Sequence, residues 1–325
     1  MCIRDRHIDN LSIMGFAEVL RHLPRMIKIM DETLKAISMS KPDRIILIDY
    51  PGFNLRLVKK LSYLNIPVTY FILPQAWAWK EGRVETMKKF IDQTISIFPF
   101  ERDWFALKGL NVDYLGHPFM DVEHLDETTK SFYKRHSLDI NSPILTLLPG
   151  SRQQEVDRHW PIYLETVKLL RKKIINLQVI IGKSSNIELW DCPEDFRVEN
   201  NAKKAMIIGK AGLVSSGTAT LECAIEGLPI VVCYKLFSLS WVIAKILVKV
   251  KHSSIINLIM DKQVVPELLQ KDMKPKLILN KLTELLDDKS EERKTMLADY
   301  DKLRTLLGRP GVYNRIAEKI LNKTA

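Results

Sequence analysis

The sequence predicts an α/β protein of two layered units in tandem, closed by helices, and three observations predict it. Strand-like apolar runs alternate with helical patterns almost throughout the 325 residues, the arrangement that builds layered α/β sheets. Some of those runs are continuous, as in "RIILIDY" (44–50), which suits a parallel strand buried on both faces. A polar, irregular stretch at 118–143, with "HPFMDVEHLDE" and "DINSP" as breakers, divides two such series and reads as a linker.

The first series opens with the strand at 44–50, which ends in Asp49. "LRLVKKLSYLN" then reads as a helix and "IPVTYFIL" (66–73) as the next strand. A basic helix around 83–90, a strand "QTISIFPF" (93–100), a helix "FERDWFALKG" closed by Gly109 and a short strand "VDYLG" (112–116) follow. The second series starts at "PILTLLPGSR" (143–152), a strand running into a turn. A helix near 160–173, the strand "LQVIIG" (177–182) and a short strand near 206–208 come next. Then come the strand "GLVSS" (212–216), a helix from about 218 to 227 and the strand "PIVVCYK" (229–235). From 275 onward the pattern is helical. The expected units are 1–135 and 136–325, with the C-terminal helices grouped in the second.

Charge narrows the partners. Against 39 acidic residues stand 49 Lys and Arg, a net charge of +10, which points to nucleic acid, a phosphorylated substrate or an acidic lipid surface. The positive charge is dispersed and no nucleic-acid motif is present, so nucleic acid is set aside. Four scattered cysteines without paired spacing read as reduced thiols rather than a disulfide framework or a metal site. No run of eighteen apolar residues exists to span a bilayer, and "MCIRDRHIDN" lacks the apolar core of a signal peptide.

Two turns carry candidate chemistry. The strand "GLVSS" delivers the chain to Gly217, and a helix begins near Thr218. There the first N–H groups lack intrahelical partners and the dipole end is positive, so a phosphate fits and glycine lets it come close. Glu222 lies one helical turn beyond Thr218, placed to accept hydrogen bonds from a ribose. A capping box does not explain it, because the residue three before it is Ala219; an ordinary helix start remains the alternative. "LLPGSR" (147–152) is a second strand-to-turn passage, with Gly150 and Ser151 at the bend. Arg152 follows them, either a bidentate phosphate contact or a surface arginine. Neither a Walker A loop nor a dinucleotide glycine triplet occurs. The one Asp-x-Asp, Asp299 with Asp301, lies in a helical stretch that splits the two carboxylates.

Eight motifs in order then carry a resemblance. They are "LSIMGFAEVL" (11–20), "IDYPGFN" (48–54), "LPQAWAWKEGRV" (73–84), "FPFE" (98–101), "GHP" (116–118), "LLPGSR", "SSGTATLE" (215–222) and "VVPELLQ" (264–270). From about residue 11 to the end the chain resembles the lipid-A-disaccharide synthase family. That resemblance implies two Rossmann-like domains of the GT-B glycosyltransferase type, needing no metal or other cofactor. It implies inverting transfer of 2,3-diacylglucosamine from UDP to 2,3-diacylglucosamine 1-phosphate. It also implies a peripheral place at the inner face of a Gram-negative cytoplasmic membrane.

Carried over residue by residue, the resemblance makes Asp49 the general base, with a helix N-cap as the alternative. Arg152 would offset charge on departing UDP. Gly150, Ser151, Ser216, Gly217, Thr218 and Glu222 fall on the donor site, and Asn257 and Glu267 on a cleft-lining segment. The front departs from the family: the expected first domain lacks its leading βα units, and the reading leaves open that residues 1–10 are non-native.

Acylated substrates require a lipid-facing surface. Trp77 and Trp79 lie among Lys80, Arg83, Lys88 and Lys89, and Trp241 lies in the apolar stretch "LSWVIAKILVKVKH" (239–252). Both stretches suit a headgroup region or acyl contact, with core packing as the alternative. A UDP-binding inactive fragment, a peptidoglycan glycosyltransferase and a UDP-sugar 2-epimerase are the rival functions. A homodimer stays open.

Overall fold

The computed structural model of the protein describes residues 23–121, 127–237 and 250–322. Among the described residues ten strands lie in two sheets, and every strand pairing is parallel. The fold is α/β of the two-sheet, GT-B kind expected from the sequence.

Helix α1 (Leu23–Ser40) leads into β1 (Ile45–Ile48), α2 (Pro51–Leu61), β2 (Val68–Phe71), α3 (Arg83–Phe90), β3 (Gln93–Ser96), α4 (Pro99–Ala106) and β4 (Asp113–Tyr114). These four strands run in the order β1-β2-β3-β4. Every residue of β2 and β3 is buried; the polar members of β3 are satisfied inside the fold, Gln93 accepting from the Thr69 hydroxyl at 2.9 Å and Thr94 donating to the Asn111 carbonyl at 2.6 Å. Pro51 occupies the first turn of α2, where its missing N–H costs nothing. Leu55, Val58 and Leu61 then fall on one face and join Leu47, Tyr70, Met87 and Phe105 in the core. Proline also corrects an expectation: the strand read over 93–100 stops at Ser96 because Pro99 opens α4.

Within the stretch read as a linker, α5 (Thr129–Arg135) forms, its Thr128 hydroxyl accepting from Ser131 N–H at 3.2 Å. The second sheet comprises β5 (Ile144–Leu148), β6 (Gln178–Gly182), β7 (Arg197–Glu199), β8 (Ala211–Ser215), β9 (Ile230–Tyr234) and β10 (Glu267–Leu269). Their order is β10-β9-β8-β5-β6-β7. The chain therefore builds outward from β5 on one side, then returns to build β8, β9 and β10 on the other. That reversal opens a crevice at the carboxyl ends of β5 and β8.

The connecting helices are α6 (Gln153–Arg171), α7 (Ala202–Ile208), α8 (Thr218–Ile225) and α9 (Ile255–Met260), followed by α10 (Pro275–Leu286), α11 (Glu291–Leu307) and α12 (Val312–Leu321). The strand expected near 206–208 is instead the end of α7. Asn201 caps that helix by accepting from Lys204 N–H, and Ala205 and Met206 turn inward. Three apolar residues are too few to display a period, so helix and strand look alike there. Strand β10 escaped the sequence reading for the same reason, being three residues long.

The C-terminal helices serve both sheets. Val312, Ile316 and Ile320 of α12 pack against Phe71 and Ile95 of the first sheet. The Asp121 carboxylate caps α12 from a distance in sequence, accepting from the N–H groups of Gly311, Val312 and Tyr313 at 2.6, 2.8 and 2.8 Å. Arg315 donates to the Leu115 carbonyl, and Tyr114 donates to the Leu306 carbonyl at 2.8 Å. No helix among the described residues is long and apolar enough to cross a membrane.

Candidate active-site cleft

Strand β5 ends in a bend at Pro149 and Gly150, where φ is +133°. A Cβ on Gly150 would stand 3.0 Å from Glu155 Oε2, so both the backbone angle and the space demand glycine. His159, from α6, anchors this bend. Its Nε2 lies 3.1 Å from the Lys235 N–H and must accept from it, so Nδ1 carries the hydrogen and donates to the Pro149 carbonyl at 2.9 Å. Burial lowers the His159 pKa and keeps the ring neutral for that double role.

The neighbouring strand, β8, ends at Ser215 and passes through Ser216 to Gly217, the residue before α8. No side chain caps this helix, and a Cβ on Gly217 would meet nothing within 4 Å. The glycine borders open space, with free N–H groups behind it. A cleft of about 340 Å³ gathers Gly150, Ser151, Ser216, Gly217, Thr218 and Glu222 in one place. Burial raises the Glu222 pKa, an effect the nearby Lys203 charge opposes.

The same cleft is lined by residues that the sequence reading passed over, among them Lys183, Ser184, Asn200 and Ser215. Ser215 is 6% exposed, and its hydroxyl has no hydrogen-bond partner among the described residues. A buried orphan hydroxyl is costly unless something in the cleft satisfies it. Lys183 has no ion-pair partner among the described residues. It follows β6 in "VIIGKS", a strand-to-glycine turn of the kind that marked the other two, and that signal was available.

Arg152 stands at the rim rather than in the lining. Its side chain is 51% exposed, and Nη1 lies 3.2 Å from Glu155 Oε1. Glu155 also accepts from the Tyr234 hydroxyl at 3.2 Å, so the arginine is held from below. Asn257 and Glu267 do not line the cleft but brace it. Buried Asn257 donates to Glu267 Oε1 at 2.7 Å and accepts from the Val264 and Val265 N–H groups. Glu267 in turn accepts from the Ser253 and Ser254 N–H groups, each at 2.9 Å. Ser216 donates to the Ser253 carbonyl at 3.3 Å, which ties this network to the turn after β8.

On the first sheet, Asp49 and Tyr50 follow β1 with φ of 46° and 45°. Two consecutive non-glycine residues in the left-handed region cost on the order of 1–3 kcal/mol each. Side chains hold them there. Asn54 Nδ2 donates to the Ile48 and Asp49 carbonyls at 3.1 and 2.6 Å, and the Tyr70 hydroxyl donates to the Asp49 carbonyl at 2.8 Å. The N-cap position of α2 belongs to Tyr50, with no side-chain cap, which removes the capping alternative for Asp49. Its carboxylate is exposed and has no hydrogen-bond or ion-pair partner among the described residues.

The tryptophans part company. Trp77 turns inward: Nε1 donates to Glu101 Oε1 at 2.9 Å, and the ring stands edge-on to Phe100 and Phe98 at 5.1 and 6.4 Å. The expectation of a membrane contact by Trp77 is therefore corrected, because an indole held this way is part of the packing. Trp79 is 37% exposed, with Lys80 Nζ and the Arg83 guanidinium each 4.6 Å from its ring. Trp241 and the motif at 11–20 lie outside the described residues.

A sequence profile described as Lipid-A-disaccharide synthetase matches residues 6–321. The lipid-A-disaccharide synthase of Myxococcus xanthus is 35% identical over 319 residues, covering 96% of this chain and 83% of that protein. The chain belongs to the lipid-A-disaccharide synthase family. Another member, from Coxiella burnetii, is 30% identical, with 97% and 85% covered. Membership makes the chain an enzyme of the hexosyltransferase class with a glycosyl-transfer role in lipid A synthesis. Solved structures share the fold at far lower identity. A UDP-N-acetylglucosamine 2-epimerase from Neisseria meningitidis, bound to UDP-GlcNAc, superposes with a TM-score of 0.61 at 14% identity, over 96% of this chain and 84% of its own. A spinosyn rhamnosyltransferase complexed with thymidine diphosphate gives 0.58 at 11%, over 91% and 78%.

Proposed function

We propose that the chain transfers 2,3-diacylglucosamine from UDP to 2,3-diacylglucosamine 1-phosphate with inversion, releasing UDP and lipid A disaccharide 1-phosphate. The observation that carries this reading is the cleft at the β5–β8 reversal, where two glycine turns face open space beside an unpartnered buried hydroxyl. UDP fits there, with its diphosphate on the N–H groups of Gly217 and Thr218. The Ser215 hydroxyl and Lys183 serve as further donors, and Glu222 accepts from the ribose.

In this mechanism an acceptor hydroxyl attacks C1 of the donor sugar while the Asp49 carboxylate takes its proton. The bond from C1 to the diphosphate oxygen breaks on the opposite side, which inverts the centre. Arg152, Lys183 and the start of α8 offset the charge gained by UDP. The donor unit is 136–325 and the acceptor unit 1–135, with α12 crossing between them. The enzyme works peripherally at the inner face of the cytoplasmic membrane, a reading supported by the net charge of +10, which suits an acidic lipid surface.

The test is calorimetric titration of UDP, followed by UDP-release assays with acylated and non-acylated sugar donors. Saturable UDP binding and release that depends on donor acylation are expected. No binding heat, or equal turnover of non-acylated donors, overturns the reading.

A further inference from the structure

Beside the Asp49 turn lies a second concavity, of about 400 Å³, unrelated to the cleft between β5 and β8. Its floor is apolar: Met26, Ile27 and Met30 of α1 face Phe53 of α2 and the ring of Trp79. Ile27 is 55% exposed and Trp79 37%, so a substantial apolar surface stands open to solvent. Tyr50, the neighbour of Asp49, forms part of the wall.

Four cations surround the floor. Arg56 and Lys60, four residues apart on α2, share a helical face. Lys80 and Arg83 approach from the other side, both against Trp79. Among the described residues none of the four has an acidic partner within ion-pair distance. The nearby acids are engaged elsewhere: Glu81 bridges to Lys108, and Glu85 to Lys88. Burial lowers the pKa of Arg83, the direction expected of a cation drawn from water without a carboxylate.

We infer that this groove binds one phosphate-bearing acylated sugar, with the four cations around its phosphate and one acyl chain on the Met26–Ile27–Phe53–Trp79 floor. This rests on the proposed function, of which it names the acceptor subsite. Charge complementarity selects the occupant: a phosphomonoester carries close to two negative charges near neutral pH. Arg56 and Arg83 offer bidentate geometry, and Lys60 and Lys80 act as point charges. The shape selects a single molecule over a bilayer face. A volume near 400 Å³ falls within the range of small-molecule pockets, which spans about 300–1,000 Å³. A sugar anchored beside Tyr50 by its phosphate lies next to the turn that presents Asp49. The groove thereby requires both phosphate and acyl chain of an acceptor.

The test is direct binding to the full chain of a water-soluble, short-chain diacylglucosamine 1-phosphate, followed by calorimetry and tryptophan fluorescence. The dephosphorylated lipid and the deacylated sugar phosphate serve as comparison probes. The double variant Arg56→Gln/Lys60→Gln should weaken the phosphorylated probe by about ten- to a hundredfold, from the loss of two charge-assisted contacts. It should leave the dephosphorylated probe and UDP within about twofold. Ile27→Asp, at an exposed position, should weaken both acylated probes by about tenfold and spare the deacylated one. Unchanged binding in both variants overturns the inference. So does capture of vesicles of anionic phospholipid without binding of the soluble probe, since the surface then serves a bilayer. Failure of UDP titration in the wild-type chain counts against the proposed function instead, and the two failures are read in separate experiments.

Discussion

The cleft at the ends of β5 and β8 is framed by glycine turns and a helix N-terminus, whereas the groove beside β1 is made of side chains. The first is shaped by Gly150 and Gly217, by free helix N–H groups and by a buried hydroxyl. The second is a floor of aliphatic and aromatic groups with Arg56, Lys60, Lys80 and Arg83 at its edge. Backbone donors are fixed by the fold and suit a ligand common to many enzymes. Side-chain donors are set one by one and suit the ligand that distinguishes this family. In the proposed function the contrast separates two tasks, holding a nucleotide and choosing an acceptor.

Four measurements can break or sharpen that division. The largest effect is expected for Asp49→Asn, which removes the proposed proton acceptor while leaving the β5–β8 cleft untouched. Turnover should fall by roughly 10²–10⁴-fold with UDP affinity unchanged, and unaltered turnover takes Asp49 out of the mechanism. Arg152→Ala, on the nucleotide side, should lower kcat by about 10²-fold and shift acceptor KM little. A purely acceptor-side effect of Arg152 breaks the division.

The third measurement concerns Glu101, whose carboxyl sits 1% exposed beneath Trp77, and which burial pushes up to about 7. A carboxyl pKa raised by folding stabilises the protein while protonated. That contribution is complete below the unfolded value of 4.5 and lost as pH rises to about 7. Compared with the wild type, Glu101→Gln should therefore gain stability across that window, by on the order of 2–3 kcal/mol, and the difference should be flat above it. Melting curves at several pH values check this. A difference that does not vary with pH means that Glu101 keeps one charge state throughout. The smallest effect is expected for Ser215→Ala. The ligand-free protein should keep or slightly raise its melting temperature, because an unsatisfied hydroxyl is removed, while UDP binding weakens about fivefold. A marked loss of stability means that the hydroxyl has a partner in the fold.

The backbone-built region was the legible one. Glycine and serine at a strand end announce themselves because few residues tolerate φ of +133° or so close an approach. "PGSR" and "SSGTATLE" could therefore be read without a structure, and the "GKS" turn after β6 carried the same signal. The side-chain-built groove was far less legible. Arg56 and Lys60 look like the solvated face of any amphipathic helix, and Met26 and Ile27 like core residues. Trp77 and Trp79, two positions apart, looked equivalent in sequence. Only Trp77 meets the Glu101 carboxylate and the rings of Phe98 and Phe100, so the two indoles end in different surroundings.

From the sequence alone came the alternation of strands and helices, the two series, the glycine turns and, through eight ordered motifs, the family. These are local properties: apolar period, turn chemistry and short residue patterns persist without knowledge of distant contacts. The strand order β10-β9-β8-β5-β6-β7, which sets the turns after β5 and β8 side by side, came only with the tertiary structure. So did the return of α12 to the first sheet, through Asp121 and the faces of Phe71 and Ile95. Both depend on pairings between segments far apart in the chain, and no local pattern encodes which strand lies next to which.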